Sequence, residues 1–152
     1  MRGLGEIALL TDIARPTIGV ITNVGTAHIG RLGSREAIAQ AKCELLAQMP
    51  KTSIAILNYD NSLLIETAQK VWQGKTITYG LTGGDVHGTM NKDKITVAEQ
   101  DLPLPLPGEH NASNYLAAVA IAQVLNIDFA PLITGLQVQL PQGRSRRYDL
   151  PN

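Results

Sequence analysis

The chain has 152 residues, 44% hydrophobic and 17% charged, a globular composition with enough length for one domain and a sizeable core. Its formal net charge is zero, which removes any electrostatic reason to expect nucleic acid or an anionic membrane as partner, and no apolar run reaches the length of a membrane span. Cys43 is the only cysteine, so no disulfide closes within the chain and a cytosolic setting is expected.

The start, "MRGLGEIALLTD", carries acids and a helical pattern, unlike a signal peptide. "EIALLTDIA" has apolar residues at helical spacing and predicts a helix that stops before Arg15-Pro16. "TIGVITN" is short, apolar and rich in β-branched residues, the pattern of a buried strand. Gly33-Ser34 opens the next helix, with Ser34 as N-cap and Glu36 in the first turn. "SIAILN" is a second buried strand, Asp60-Asn61-Ser62 cap the helix "LLIETAQKVW", and "KTITYG" is a third strand. Strand, helix, strand, helix, strand predicts a parallel sheet with right-handed crossovers. The pattern then changes. "GDVHGTM" and "KITVAE" predict a short hairpin around Asn91-Lys92-Asp93, and "DLPLPLPG" an extended segment limited by its prolines. "HNASNYLAAVAIAQVLN" predicts a helix with a wide apolar face, and "DFAPLITGLQVQL" a second, shorter one. In the tail "PQGRSRRYDLPN", Arg146 and Arg147 read as a solvated turn.

Two side chains stand out in this frame. His28 follows the first strand by a glycine-containing turn, at the carboxyl end where open α/β sheets bind ligands. It is either a metal or phosphate contact or an ordinary loop histidine. Lys42 flanks the apolar stripe Ile38, Ala41, Leu45 and Met49, close to Leu46. Its amine either snorkels to water or sits in a low-dielectric pocket, where the neutral form is favoured. A neutral amine can act as a base or add carbon dioxide to become a carbamate, an anion able to bridge metal ions. Spacing does not choose among these.

Further along, His110, Asn111 and Asn114 cluster at the start of a helix behind Pro107-Gly108. Asn111 and Asn114 share a face, and each amide offers the donor and acceptor that read an adenine edge. Capping by Asn111 is the alternative, and it leaves Asn114 unexplained.

The segments "RGLGEIALLTDIARPTIGVITNVGTAHIGRLGS", "AKCELL", "LNYDNS", "LPGEHNASNYLAA" and "QGRSRRYDL", in this order, resemble the Mur ligase family over essentially the whole chain. The pairing of "NVGTAH" and "AKCE" with a later "HNASN" carries most of the resemblance. It implies an α/β fold with a mainly parallel sheet flanked by helices, of the P-loop type, with a small β-hairpin and the first part of the domain missing. Residues 1–144 would be a partial central ATP-binding domain, and 145–152 the start of the link to a C-terminal domain. The implied chemistry is ATP-dependent ligation: a carboxylate becomes an acyl phosphate, which an amine attacks. The branch resembled most joins D-alanyl-D-alanine to UDP-N-acetylmuramoyl-tripeptide in peptidoglycan synthesis, in the cytoplasm, as a monomer when complete.

The resemblance further implies ATP and Mg2+ as cofactors. His28 matches a magnesium ligand, and Lys42 the lysine whose carbamate organises the second metal. His110, Asn111 and Asn114 match the adenine-contact motif, and Arg144 an arginine that approaches the nucleotide. Asn23 and Thr26 have supporting roles. The chain contains no G-x-x-x-x-G-K-[ST] phosphate loop, so it is expected to be inactive alone. Two further readings are a segment of a diaminopimelate-adding or folylpolyglutamate ligase, and a non-catalytic interaction module derived from this domain.

Overall fold

The structure, a computed structural model, describes residues 3–27, 29–128 and 130–135. The first helix, α1 (Glu6–Ala14), matches the predicted segment residue for residue. Its start is held by a carboxylate from elsewhere in the chain. Glu44 accepts from Gly5 N (2.7 Å) and Ala8 N (3.1 Å), satisfying two of the otherwise unpaired N–H groups at a helix start. The helix stops at Arg15, which turns left-handed just before Pro16.

Strand β1 (Ile18–Ile21) is shorter than the predicted "TIGVITN", because the chain leaves the ladder at Thr22. A short helix, α2 (Ile29–Leu32), not anticipated from the sequence, precedes α3 (Arg35–Gln48). Ser34 caps α3 as expected, its Oγ accepting from Ala37 N at 3.1 Å. The stripe of α3 is rotated relative to the prediction: Ile38, Ala39, Ala41, Cys43 and Leu46 are buried, whereas Leu45 is half-buried. Then follow β2 (Ile54–Asn58), α4 (Ser62–Val71) and β3 (Lys75–Gly80). Of the three residues expected to cap α4, Asn61 does so, accepting from Leu64 N at 3.0 Å.

β1, β2 and β3 pair in parallel, as the alternation of strands and helices requires. Alternate residues of β2 feed two cores. Ala55 and Leu57 pack with Ile38, Cys43, Leu46, Leu64, Ala68 and Trp72 under α3 and α4. Ile56 packs on the opposite face with Tyr79, Leu116, Val119 and Ala120 under α5 (Glu109–Val124). This two-sided burial explains why "SIAILN" reads as an unbroken apolar run.

The remaining strands, β4 (Val86–Asn91), β5 (Lys94–Val97) and β6 (Gln100–Pro103), complete a six-stranded sheet in the order β1-β2-β3-β4-β5-β6. The predicted hairpin is β4 with β5, turning at Lys92, and the proline-limited segment supplies β6 at the edge. β4 joins β3 through only two parallel pairs, Tyr79 with Val86 and Gly80 with His87. The chain sidesteps rather than crossing over, and two aspartates hold the step. Asp60 accepts from Leu81 N (2.7 Å), Thr82 N (3.0 Å) and Thr82 Oγ1 (2.5 Å). Asp85 accepts from Thr78 N (2.7 Å) and Thr78 Oγ1 (2.8 Å). Gly80 sits where a side chain would strike the Asp60 carboxylate, 2.7 Å from an ideal Cβ. In the described part of the segment expected to carry a second short helix, Ala130–Thr134 forms a 3-10 stretch; residues 136–140 of that segment lie outside the described residues.

These aspartates make the sidestep acid-sensitive. Burial pulls the Asp60 carboxyl upward, but its bonds from Thr82 and Leu81, helped by His87, outweigh this and hold it below the usual value. The bonds from Thr78 do the same for Asp85. A carboxyl depressed in the folded state stabilises it above the unfolded pKa and loses that contribution as pH falls through the folded value. On acid titration, the Leu81 and Thr82 amide signals should therefore broaden or shift before those of α3 and α4. In Asp60→Asn the acid-side change should shrink; an unchanged titration would show that the carboxylate does not hold the step.

Two surfaces lie open among the described residues. The outer edge of β1 pairs with no strand. On α1, Leu9, Leu10 and Ile13 are 62%, 64% and 71% exposed, an apolar stripe on the side turned away from α3.

Candidate functional site

The carboxyl ends of β1, β2 and β3 lie side by side, and the chain leaving β1 runs across them. Side chains from four elements hold the carbonyls of that crossing. Thr22 O accepts from Asn58 Nδ2 at the end of β2 (2.9 Å) and from Tyr79 Oη on β3 (3.4 Å). Asn23 O accepts from Lys42 Nζ on α3 (2.5 Å). Val24 O accepts from Asn61 Nδ2 at the start of α4 (3.2 Å) and from Arg35 Nη2 (3.3 Å). Asn61 Nδ2 also donates to Asn23 Oδ1 at 2.6 Å. Asn61 therefore caps α4 with its oxygen and fixes the loop with its nitrogen. Val24 anchors the loop from within, its side chain buried in the core under α3 and α4.

Lys42 is half-buried, and burial lowers its pKa. Its amine neither extends freely into solvent nor sits among apolar groups alone, since its Nζ rests on a backbone carbonyl. The neighbouring Cys43 thiol is buried and pushed up to about 11, so it stays protonated and unreactive at neutral pH. Tyr79 is pushed up to about 12 by burial and by the Asp60 charge, which keeps its hydroxyl a donor to Thr22 O.

The start of α5 reaches the same end of the sheet. Asn58 Nδ2, besides holding Thr22 O, lies 3.4 Å from Ser113 Oγ on the first turns of α5. One amide thus ties the β1 loop to the helix that carries the clustered asparagines. Gly108, at φ 99°, is the N-cap of α5, so Asn111 does not cap the helix. Its Nδ2 donates back to Pro107 O at 2.7 Å, which among the described residues leaves its oxygen and one amide hydrogen unspent. Asn114 and His110 are exposed neighbours, with Nδ2 and Nε2 3.4 Å apart.

Of the residues singled out from sequence, the structure brings Lys42 and Asn23 into contact and links them through Asn58 to the helix start bearing His110, Asn111 and Asn114. His28 and Arg144 lie outside the described residues, as does the boundary expected after residue 144. From sequence, Asn61 was expected only to cap α4, and Asn58, Tyr79 and Arg35 had no role. A polar residue ending the apolar run "SIAILN", three residues before a second asparagine, was the available signal for the first two.

Residues 1–122 match the Mur ligase middle domain. Over 148 residues, 97% of its length, the chain is 68% identical to the UDP-N-acetylmuramoyl-tripeptide--D-alanyl-D-alanine ligase of Synechocystis sp., of which it covers 33%. The structure is similar to that of MurF from Acinetobacter baumannii, with a TM-score of 0.83 at 28% identity, covering 99% of this chain and 35% of that one. It is similar also to MurF ligase from Thermotoga maritima, solved in complex with ADP, with a TM-score of 0.72 at 25% identity, covering 88% and 34%. The chain therefore spans about a third of the length of the curated relatives it matches.

Proposed function

The chain belongs to the Mur ligase family, and from that premise we propose that it is part of the central ATP-binding domain of a cytoplasmic ligase that joins D-alanyl-D-alanine to UDP-N-acetylmuramoyl-tripeptide. The observation that carries this reading is the convergence of the Lys42 amine, the Asn23–Val24 loop and the Asn111–Asn114 helix start at one end of the sheet. That is where open α/β folds hold nucleotides and the groups they activate.

The residues present fit the implied cofactors to different degrees. Among the described residues Asn111 keeps one acceptor and one donor free, the pair that an adenine edge requires, and Asn114 stands beside it. Among the described residues no three histidine, cysteine, aspartate or glutamate side chains gather to hold a metal ion. A carbamate on Lys42 would supply the hard anionic oxygens magnesium takes. His28 is the proposed further ligand, and Arg144 the proposed nucleotide contact. Bound ATP and magnesium would supply the transferred phosphoryl group and the charge neutralisation for acyl-phosphate chemistry.

This chain's own residues do the positioning. Lys42, Asn58, Asn61 and Arg35 fix the loop whose continuation leads to His28, and Asn58 sets α5 against it. The open edge of β1 and the apolar stripe of α1 are the surfaces on which the rest of the ligase packs in this reading. No described helix is long and apolar enough to cross a membrane.

The test is a chimera. This chain replaces the aligned 148 residues of the Synechocystis ligase, where 68% identity keeps the core compatible. Phosphate release should require ATP, UDP-N-acetylmuramoyl-tripeptide and D-alanyl-D-alanine together. A folded chimera that releases none, beside an active parent, would sink the reading.

A further inference from the structure

Among the described residues, one hydrogen bond joins α5 to the sheet, that of Asn58 Nδ2 to Ser113 Oγ. The rest of the attachment is apolar, with Ala112, Leu116, Val119 and Ala120 packed over Ile56 and Tyr79. Apolar burial has no direction, so it sets how close a helix lies more strictly than how far it slides or turns. A hydrogen bond is directional and fixes both. The slide and turn of α5 decide where Asn111 and Asn114 stand, and Ser113 lies between them in sequence.

Ser113 spends its hydroxyl in an unusual way for this chain. Thr11 and Thr67, also inside helices, donate to carbonyls four residues back, Ile7 O and Leu63 O, each at 2.7 Å. That bond is the ordinary use of a mid-helix hydroxyl. Ser113 makes none among the described residues, and its oxygen meets Asn58 instead. Asn58 for its part cannot turn over. Its Oδ1 accepts from Asp60 N at 2.9 Å while its Nδ2 donates to Thr22 O at 2.9 Å. A flipped amide would set oxygen against oxygen and N–H against N–H. With one Nδ2 hydrogen on Thr22 O, the second belongs to Ser113. At 3.4 Å that bond is at the long end of its range, so a small slide of α5 makes or breaks it. The amide is only 8% exposed, and its three partners lie on the loop after β1, the turn after β2, and α5.

We propose that Asn58 is a positioning residue with Ser113 as its contact, and that through this pair the loop after β1 takes its placement from the start of α5. Asn58 itself touches no ligand. The inference rests on the ligase reading for what is positioned: the adenine-reading asparagines on one side and, on the other, the loop that leads to His28. It goes beyond that reading in giving Ser113 a part and in making one bond set the two halves of the site against each other.

The experiment has two arms. In the chimera, Ser113→Ala removes the acceptor and suits a helix. It should lower kcat about three- to tenfold, the scale of one neutral hydrogen bond. The KM for D-alanyl-D-alanine should stay within about twofold, because misplacement is felt after all substrates are bound. Ser113→Thr keeps the hydroxyl and should restore kcat, which a loss of stability alone would not explain. Asn58→Ala should be slower still, since Thr22 O also loses a donor, and adding Ser113→Ala to it should cost nothing more. In the 15N-labelled isolated chain, Ser113→Ala should shift the Asn58 side-chain amide and the Asn23 backbone amide, whose peptide carries Thr22 O. Unchanged kcat in Ser113→Ala, a threonine variant as slow as the alanine one, full additivity in the double variant, or unmoved Asn58 and Asn23 signals would each overturn the inference. An active chimera indifferent to Ser113→Ala removes it and spares the ligase reading. A chimera inactive in every form sinks the ligase reading, and the shifts in the labelled chain then decide the link by themselves.

Discussion

Replacing Lys42 by alanine in the chimeric ligase should lower kcat/KM by about a hundredfold or more, the scale on which preorganised charge acts in a site. Two effects combine. Asn23 O loses its donor, 2.5 Å away, so the loop loosens. The group proposed to become a carbamate is also gone. Lys42→Arg separates the two. Arginine still donates to a carbonyl, so it can hold the loop, but it keeps its charge and cannot add carbon dioxide. At lysine the ammonium first gives one proton to water; the neutral amine then attacks carbon dioxide and its nitrogen releases a second proton, so that overall a cation becomes an anion. Burial already lowers the pKa of Lys42, which makes the neutral amine more accessible. Lys42→Arg should therefore be nearly as impaired as Lys42→Ala, and a short carboxylate should restore part of the activity of the alanine variant alone. Steady-state phosphate release reads both. Near-normal turnover in Lys42→Arg would mean that Lys42 serves only as an anchor for Asn23.

The elements were legible because local signals agreed with the fold. α1 ends where Arg15-Pro16 forbids continuation, and Ser34 and Asn61 announce the helices they cap. β1 was overread at Thr22 and Asn23. Both residues have strand-compatible neighbours, yet their carbonyls are drawn off the ladder by Asn58 and Lys42, partners 36 and 19 positions away. The candidate site was half legible for the same reason. Lys42 betrayed itself by standing beside an apolar stripe, but its acceptor is a backbone atom, which no residue type announces. Asn61 reads as a cap and is one; that its nitrogen also binds the β1 loop depends on a sheet register fixed elsewhere. Asn111 had the residue type of a cap but not the place, since Gly108 adopts the backbone that opens α5.

The core under α5 gives the largest expected effect on stability, and a contrast that tests the open stripe of α1. Leu116 is fully buried, and its side chain fills the space over Gly88, where an ideal Cβ would lie 2.7 Å from it. α5 covers its face of the sheet with no second long helix beside it among the described residues. The neighbours of Leu116 therefore have little means of closing a gap. Leu116→Ala should cost about 2–5 kcal/mol, a large part of the 5–15 kcal/mol that holds an ordinary domain. Its Tm should fall by roughly 10 °C in a domain of this size. Leu9→Ala removes the same atoms from a site 62% exposed, and in the isolated chain should change stability by less than about 0.5 kcal/mol. In the chimera the two should converge, because the proposed ligase packs its remaining length against Leu9, Leu10 and Ile13. Urea unfolding of both variants in both contexts measures this. If Leu9→Ala is as silent in the chimera as in the isolated chain, the stripe of α1 is ordinary surface and the rest of the ligase packs elsewhere.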